Sequence, residues 1–159
     1  MGFWIIACWG WNAQAAVTLA PAVTYPVNVN PYWIALGDFN ADSNLDISVT
    51  NPGSNNVSIL LGNGNGIFQS ATNFTTGSAP QGIVVGDLSG DDKLDLAIAN
   101  NGGSSVSILL GNGDGTFLPK TDYAMGPGSF SVAVGDFNGD GKLDVAGVNQ
   151  NSNNVSIRL

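Results

Sequence analysis

The 159-residue chain contains no histidine and no glutamate, and it has a single cysteine, Cys8. Without histidine the commonest general base is missing, and one cysteine cannot form a disulfide within the chain. Basic residues are scarce: four Lys and Arg stand against twelve aspartates, which gives a net charge of −8. This balance excludes the basic surface on which nucleic-acid binding depends. A sustained apolar period of 3.6 residues is also missing, so we expect no long amphipathic helix.

Glycine, asparagine, serine and threonine are abundant, and they separate short runs of valine, isoleucine and leucine. Such runs, bounded by residues that favour tight turns, are typical of short strands. The length suffices for one domain with a sizeable core. We therefore predict an all-β fold.

Residues 1–17 differ in character from the rest of the chain. An apolar run over 3–11 is followed by Ala-Gln-Ala at 13–15, the small-x-small pattern of a signal-peptidase site. A basic segment before the run is missing, which a start codon assigned too far downstream would explain. Residues 5–8 also resemble a lipoprotein processing box, and a buried terminal strand is a further alternative. The run is too short to span a bilayer, so we predict a signal peptide or an unstructured leader over 1–17.

The remainder, 18–159, repeats with a period of 49 residues. GDFNADSNLD starts at Gly37, GDLSGDDKLD at Gly86 and GDFNGDGKLD at Gly135. A second block, NVSILLGNGNG from Asn56, recurs as SVSILLGNGDG from 105 and NVSIRL from 154. The segment TLAPAVTY at 18–25 aligns with TFLPKTDY at 116–123, and upstream of it the match fails. The repetition therefore begins where the predicted leader ends.

Each period reads as four short strands. In the middle repeat we place them at 82–85, 95–99, 106–110 and 116–122, with a hairpin turn in the glycine-rich stretch between the last two. Four antiparallel strands per 40–50 residues are typical of a β-propeller blade. With one outer strand at 18–25 the chain supplies twelve strands, or three blades. Because propellers typically have about four to eight blades, we expect an incomplete propeller: a fragment of a longer chain, two chains that form one six-bladed ring, or an open array.

Each repeat carries an acidic nine-residue loop, at 38–46 (loop 1), 87–95 (loop 2) and 136–144 (loop 3). Positions 1, 3, 5 and 9 carry side-chain oxygens, and position 7 offers its backbone carbonyl. Six or more oxygens from a tight loop suit calcium, whereas magnesium prefers fewer protein ligands. The candidate ligands are Asp38, Asn40, Asp42, Asn44 and Asp46 in loop 1; Asp87, Ser89, Asp91, Lys93 and Asp95 in loop 2; and Asp136, Asn138, Asp140, Lys142 and Asp144 in loop 3.

Nine of the twelve aspartates occupy positions 1, 5 and 9 of these loops, which favours about three calcium ions, one per loop. The alternative is a surface turn rich in Asx residues that binds no metal. Position 6 is glycine in loop 3 but Ser43 in loop 1, where a positive φ would cost about 1 kcal/mol. We expect the leucine at position 8 of each loop to fill the core beneath it. The loops are not EF-hands, because position 12 is never acidic and no helices flank them.

GDFNGDGKLDVA and NVSILLGNGDGTF resemble the FG-GAP/VCBS-type repeat, which is related to the calcium-bearing blades of integrin alpha-subunit propellers. The resemblance covers 18–159. It implies a propeller, calcium in a loop between blade strands, and an extracellular setting. The family spans adhesins, lectins and modules attached to secreted enzymes, so it does not fix the function.

From these residues we expect a secreted calcium-binding repeat protein that serves adhesion or extracellular recognition of a protein or a glycan. The calcium is expected to be structural, since it offsets repulsion among three carboxylates per loop. Two aspartates outside the loops, Asp114 and Asp122, have no partner for catalysis, so we predict no enzymatic activity. The alternatives are an accessory module of a larger secreted enzyme and a lectin. Tyr32, Trp33 and Phe130 are candidate sugar platforms, although packing between blades is the favoured interpretation.

Overall fold

A computed structural model of the chain describes residues 19–159, and the predicted leader lies outside the described residues. Eleven strands follow one another over this range: β1 Ile34–Gly37, β2 Asp46–Asn51, β3 Asn56–Leu60, β4 Thr72–Thr75, β5 Pro80–Gly86, β6 Asp95–Asn100, β7 Ser105–Leu109, β8 Thr121–Ala124, β9 Ser129–Gly135, β10 Asp144–Asn149 and β11 Asn154–Arg158. Over 19–159 there is no helix of the length and apolarity that a membrane crossing requires.

The strands form three antiparallel sheets, which we call blade 1 (β1–β4), blade 2 (β5–β8) and blade 3 (β9–β11). Every strand pairs with the next one along the chain in its sheet, so each blade is a simple meander. The first strand of blade 2, β5, contacts β1 and β2 of blade 1 and β9 of blade 3. These propeller-type blades confirm the predicted all-β class, and the three sheets do not close into a ring.

The outer strands differ from the prediction. Blade 2 was expected to have its fourth strand at 116–122, but β8 covers only Thr121–Ala124. Residues 116–120 form an extended connection held by a single bridge between Gly111 and Phe117. The stretch expected as an outer strand, 18–25, is described from residue 19 onward and contains no strand.

The main core lies between blades 1 and 2. Val57 and Ile59 of β3 pack against Leu96 and Ile98 of β6, and all four side chains are buried. Burying a side chain of this size stabilises the fold by roughly 1.5–3 kcal/mol. Phe117, from the connection before β8, packs into the same cluster. Its ring lies 5.6 Å from that of Phe39 and 5.3 Å from that of Phe74, both in edge-to-face geometry.

The leucine at position 8 of the acidic loops behaves differently in each blade. Leu94 of loop 2 packs against the main core as predicted, and Leu143 of loop 3 is half-buried. Leu45 of loop 1 is 63% exposed, so for this residue the prediction is wrong. The reason is its position: blades 2 and 3 each have a preceding blade to pack against, whereas blade 1 has none among the described residues.

A buried asparagine closes the end of the second strand in every blade. Asn100 Nδ2 donates to Ser107 Oγ at 2.8 Å and to Ser105 Oγ at 3.1 Å. Asn51 and Asn149 make the same pair of bonds to residues five and seven positions further along. These bonds fix the β2–β3, β6–β7 and β10–β11 hairpins, because the amide is buried and water cannot replace its partners.

Candidate metal-binding loops

Each acidic loop joins the first and second strands of its blade. Position 9 is the first residue of the second strand, so the loop ends where the sheet begins. The carboxylates at position 9, those of Asp46, Asp95 and Asp144, are buried. The loops therefore present two kinds of acid: those at positions 1 and 5 are exposed or half-buried, and those at position 9 are buried.

The carboxylate at position 1 accepts hydrogen bonds from backbone N–H groups of its own loop, which curves the loop around it. In loop 3 the Asp136 carboxylate accepts N–H bonds from Gly139, Asp140 and Gly141 at 2.6, 3.2 and 2.9 Å. Loop 2 repeats this set on Asp87, at 2.7, 3.1 and 2.9 Å. In loop 1, Asp38 accepts the last two of these bonds, at 3.1 and 2.7 Å. The three loops thus share one backbone path despite their different residues.

The acid at position 5 continues this path. Its Oδ1 accepts the N–H of position 7 in every loop, at 2.8 Å from Asn44, 3.1 Å from Lys93 and 2.9 Å from Lys142. The asparagine at position 3 donates through its Nδ2 to the other oxygen, at 3.0 Å in loop 1 and 3.3 Å in loop 3. In loop 2 that oxygen pairs with the Lys93 ammonium at 2.9 Å.

All three loops make the left-handed turn at position 6, whatever residue stands there. The φ angle is 67° at Ser43, 64° at Asp92 and 82° at Gly141. The left-handed conformation costs more free energy for serine than for glycine, as we expected from the sequence. Position 4 is also left-handed in each loop, with Ala41 at 58° where the other two loops have glycine. Loop 1 is therefore the most strained of the three.

The buried acid at position 9 is a clamp between two parts of the blade. Asp95 Oδ2 accepts the N–H groups of Leu88 and Ser89 at 2.9 and 3.1 Å, and its Oδ1 accepts that of Gly111 at 2.8 Å. Asp46 makes the matching bonds in blade 1, to Phe39 and Gly62, at 2.8 and 2.7 Å. The clamp ties the start of the acidic loop to the turn after the third strand. We predicted a metal ligand at this position and missed its backbone role, because both roles require a carboxylate.

Hydrogen bonds keep the exposed acids ionised. N–H donation from Asp92 to Asp87, and from Gly141 to Asp136, holds the pKa of each carboxyl below its ordinary value of 3.8. The side chain of Lys93 lowers the pKa of Asp91, and the N–H of Asn44 lowers that of Asp42. These four carboxyls therefore favour the ionised form.

The donor set fits calcium in its chemistry, because every candidate ligand offers a hard oxygen. A carboxylate has about four lone-pair positions, and the loop N–H groups occupy no more than three on any one acid. However, among residues 19–159 no three acidic, imidazole or thiol side chains are grouped closely enough to hold a metal ion. The structure thus shows three acidic loops with one backbone path, whose carboxylates would have to draw together to surround an ion.

The two aspartates outside the loops have local partners. Asp114 accepts bonds from the N–H and the hydroxyl of Thr116, at 2.9 and 2.5 Å, which closes the hairpin turn. Asp122 accepts the hydroxyl of Ser107 at 2.6 Å and pairs with Lys120. Both carboxylates are therefore engaged in local hydrogen bonds of a turn and of a strand pair.

The three aromatic residues singled out in the sequence come together. The rings of Tyr32 and Trp33 are stacked 6.4 Å apart, and Phe130 meets Tyr32 edge-to-face at 6.2 Å. Tyr32 and Phe130 occupy the same repeat position in blades 1 and 3, immediately before or at the start of the inner strand. The rings of Tyr32 and Trp33 remain exposed, so packing between blades does not account for all of this surface.

Comparison with known proteins agrees with the repeat architecture. The family model described as an FG-GAP-like repeat matches twice, over residues 38–98 and 87–147. No curated protein matches the sequence. Each of the two matches begins at position 1 of one acidic loop and runs through the next loop. Members of this family are typically non-catalytic structural or binding modules. Because the two matches together cover more than half of its length, the chain belongs to the FG-GAP-like repeat family.

Proposed function

We propose that the chain is a secreted calcium-binding repeat protein, and that the calcium stabilises its blades. The observation that carries this proposal is the shared path of the three acidic loops. In each loop the carboxylate of position 1 accepts the N–H of position 6, and hydrogen bonds hold the pKa of Asp42, Asp87, Asp91 and Asp136 below its ordinary value. In each site positions 1, 3, 5 and 9 would supply side-chain oxygens and position 7 a carbonyl.

Calcium would act on stability rather than on chemistry. Bound calcium neutralises the two exposed carboxylates and joins the loop to the buried clamp at the start of the second strand. At about ten times the dissociation constant, a ligand specific for the folded state adds roughly 1.4 kcal/mol per site. Extracellular calcium modules have dissociation constants of about 0.1–1 mM, so sites of this class fill outside the cell.

Calorimetric titration of the chain with calcium tests the proposal. We expect three ions per chain for the parent protein and two for Asp140→Ala. Lys142→Ala is the matched control, because it keeps the backbone carbonyl of position 7 and should bind three. Asp140→Ala should lower the melting temperature only when calcium is present. Equal melting of the parent protein in calcium and in EDTA would contradict the proposal.

Secretion and a role in adhesion or extracellular recognition are the second part of the proposal. They are supported by the signal-like residues 1–17 and by membership of a family of binding modules. Expression with residues 1–17 fused to a reporter enzyme tests export, with the same reporter lacking the segment as control. Retention of the fusion inside the cell would remove this support.

The exposed aromatic cluster favours glycan recognition as the particular activity, either by a lectin or by the accessory module of a larger enzyme. Stacked rings such as those of Tyr32 and Trp33 offer apolar faces on which sugar rings can lie. Binding on a glycan array should be lost in Trp33→Ala and retained in Phe137→Ala, which removes an equally exposed ring from loop 3. Binding that survives Trp33→Ala would exclude this platform.

A further inference from the structure

The two ends of the blade array expose surfaces that are buried between blades elsewhere in the same molecule. Val57 and Val106, in the third strands of blades 1 and 2, are 0% and 1% exposed, whereas their counterpart in blade 3, Val155, is 59% exposed. At the other end, Ile83 in blade 2 is 6% exposed and its counterpart in blade 1, Ile34, is 57% exposed. Each end is thus one half of an interface whose complete form is present between blades 1 and 2.

The outer edge of blade 3 is also open. In blades 1 and 2 the third strand pairs with a fourth, as β3 does with β4 and β7 with β8. Among the described residues β11 has only β10 as a partner, so its other edge carries unpaired backbone groups. An edge of this kind accepts an added strand.

The segment 19–25 has the sequence of the strand that this edge lacks, and part of it already lies in the corresponding place. Its last residue, Tyr25, occupies the repeat position of Phe74. The ring of Phe74 contacts Phe117 of the next blade at 5.3 Å, and the ring of Tyr25 contacts Phe68 of blade 1 at 5.5 Å, both edge-to-face. The segment is therefore held against blade 1 as the outer strand of a preceding blade would be.

A cleft between blades 2 and 3 supplies the matching receptor. Its volume is about 510 Å³, and it is lined by Leu88, Tyr123 and Val145 among others. Leu88 and Tyr123 are the counterparts of Phe39 and Phe74, which enclose Phe117 between blades 1 and 2. The counterpart of Phe117 in the segment 19–25 is Leu19, whose side chain is 90% exposed.

We propose that two copies of this chain associate head to tail, with blade 1 of each copy packed against blade 3 of the other. Residues 23–25 of the second copy, the counterparts of residues in β4 and β8, pair with the free edge of β11, and its Leu19 enters the cleft between Leu88 and Tyr123. The blades described for two copies together number six, within the range of about four to eight blades found in closed propellers. A heterologous interface whose rotation closes gives a ring rather than a filament.

Two variants at opposite ends of the blade array test the proposal in the chain of 159 residues. Ile34→Asp places a charge on the blade 1 face, and Val155→Asp places one on the blade 3 face. Because both positions are exposed in the isolated chain, neither change should prevent folding, which circular dichroism checks. Light scattering after size-exclusion chromatography should show a dimer for the parent chain. It should show one chain for each variant alone, with association weakened by ~100-fold or more.

The mixture of the two variants is the decisive measurement. Ile34→Asp retains an intact blade 3 and Val155→Asp an intact blade 1, so an equimolar mixture should form a dimer joined by one interface. Ile67→Asp is the matched control. Ile67 is 54% exposed, and its counterpart Thr116 stays exposed even beside a neighbouring blade, so this variant should dimerise like the parent.

A parent chain that remains monomeric at micromolar concentration overturns the proposal and leaves the open edge to some other occupant. Association that survives both end variants also overturns it, since contact would then lie elsewhere, including in residues 1–18. A mixture that stays monomeric excludes the head-to-tail arrangement. None of these outcomes depends on calcium, and the calorimetric test of the loops is separate from them.

Discussion

Replacing Asp95 by alanine, measured in EDTA, tests the metal-independent role of the position-9 carboxylate. Asp95 is buried at the start of β6 and accepts three N–H bonds, from Leu88, Ser89 and Gly111. A hydrogen bond to a charged group contributes roughly 1.5–3 kcal/mol, and a buried group that loses its partner costs about 1–3 kcal/mol. The N–H of Gly111 is buried and cannot turn to water, whereas those of Leu88 and Ser89 lie nearer the surface.

From these terms we expect Asp95→Ala to lower the free energy of unfolding by about 3–5 kcal/mol, even in EDTA. For a domain of this size that loss corresponds to a fall in melting temperature of roughly 6–20 °C. Asp91→Ala, at the exposed position 5 of the same loop, is the matched control. It should cost less than about 1 kcal/mol in EDTA, because its partners are exposed to solvent.

Urea denaturation of both variants, in EDTA and in saturating calcium, supplies the measurement. Asp91→Ala should be markedly less stable than the parent protein only when calcium is present, because it then lacks a proposed metal ligand. If Asp95→Ala were as stable as the parent in EDTA, the position-9 carboxylate would have no metal-independent role. The reasoning from its three N–H partners would then be refuted.

Three further substitutions test other parts of the structure, each by urea denaturation in EDTA. Ser43→Gly should stabilise the chain by about 0.5 kcal/mol. Glycine removes the strain of the left-handed φ at position 6, but it loses more backbone entropy on folding than serine does. Destabilisation by this substitution would contradict the positive φ of residue 43. Gly111→Ala should cost about 2 kcal/mol or more, since its Cβ would lie 2.2 Å from the carbonyl oxygen of Leu94; an unchanged midpoint would show that the turn moves freely. Asn100→Ala should cost about 1–3 kcal/mol, because two buried serines lose the amide that donates to them. The exposed Asn63→Ala is the control and should change the stability little. Equal effects of the two substitutions would show that the buried hydrogen bonds of Asn100 do not stabilise the chain.

The repeat period and the turn residues were enough to predict the blades. The second strands begin at Asp46, Asp95 and Asp144, where the acidic loops were expected to end. This succeeded because the loop sequence, the apolar run and the hairpin turn recur at the same spacing. Each copy therefore supports the interpretation of the other two.

The outer strands could not be placed in the same way. Residues 116–120 contain apolar side chains in a strand-like pattern, but Phe117 is buried as a plug between blades and Pro119 has no N–H for a ladder. The alternation of apolar residues shows which side chains are buried, but it does not show whether the backbone pairs with a neighbouring strand. Likewise, 19–25 matches an outer strand, but no third strand within reach pairs with it in the described chain.

The path of the acidic loops is now described, whereas the role of their residues as metal ligands stays a prediction. Spacing identified the acids at positions 1, 5 and 9, but an isolated sequence cannot tell which carboxylate is buried against N–H groups. The buried asparagines at the ends of the second strands were not predicted. The sequence did contain a sign of them, because Asn51, Asn100 and Asn149 recur at the repeat period of 49 residues. An exposed asparagine at the end of a strand would not need to recur in this way.

The positions of an acidic loop have different structural roles, and this determines which of them can be substituted without loss of the blade. In blades 1 and 2 the ninth carboxylate ties the loop to the turn after the third strand, and it does so through amide hydrogens alone. The residues at positions 1, 3 and 5 take no part in the strand pairing, so substitutions there leave that pairing in place. The sequence at those three positions can therefore vary while the blade keeps its shape beside its neighbours.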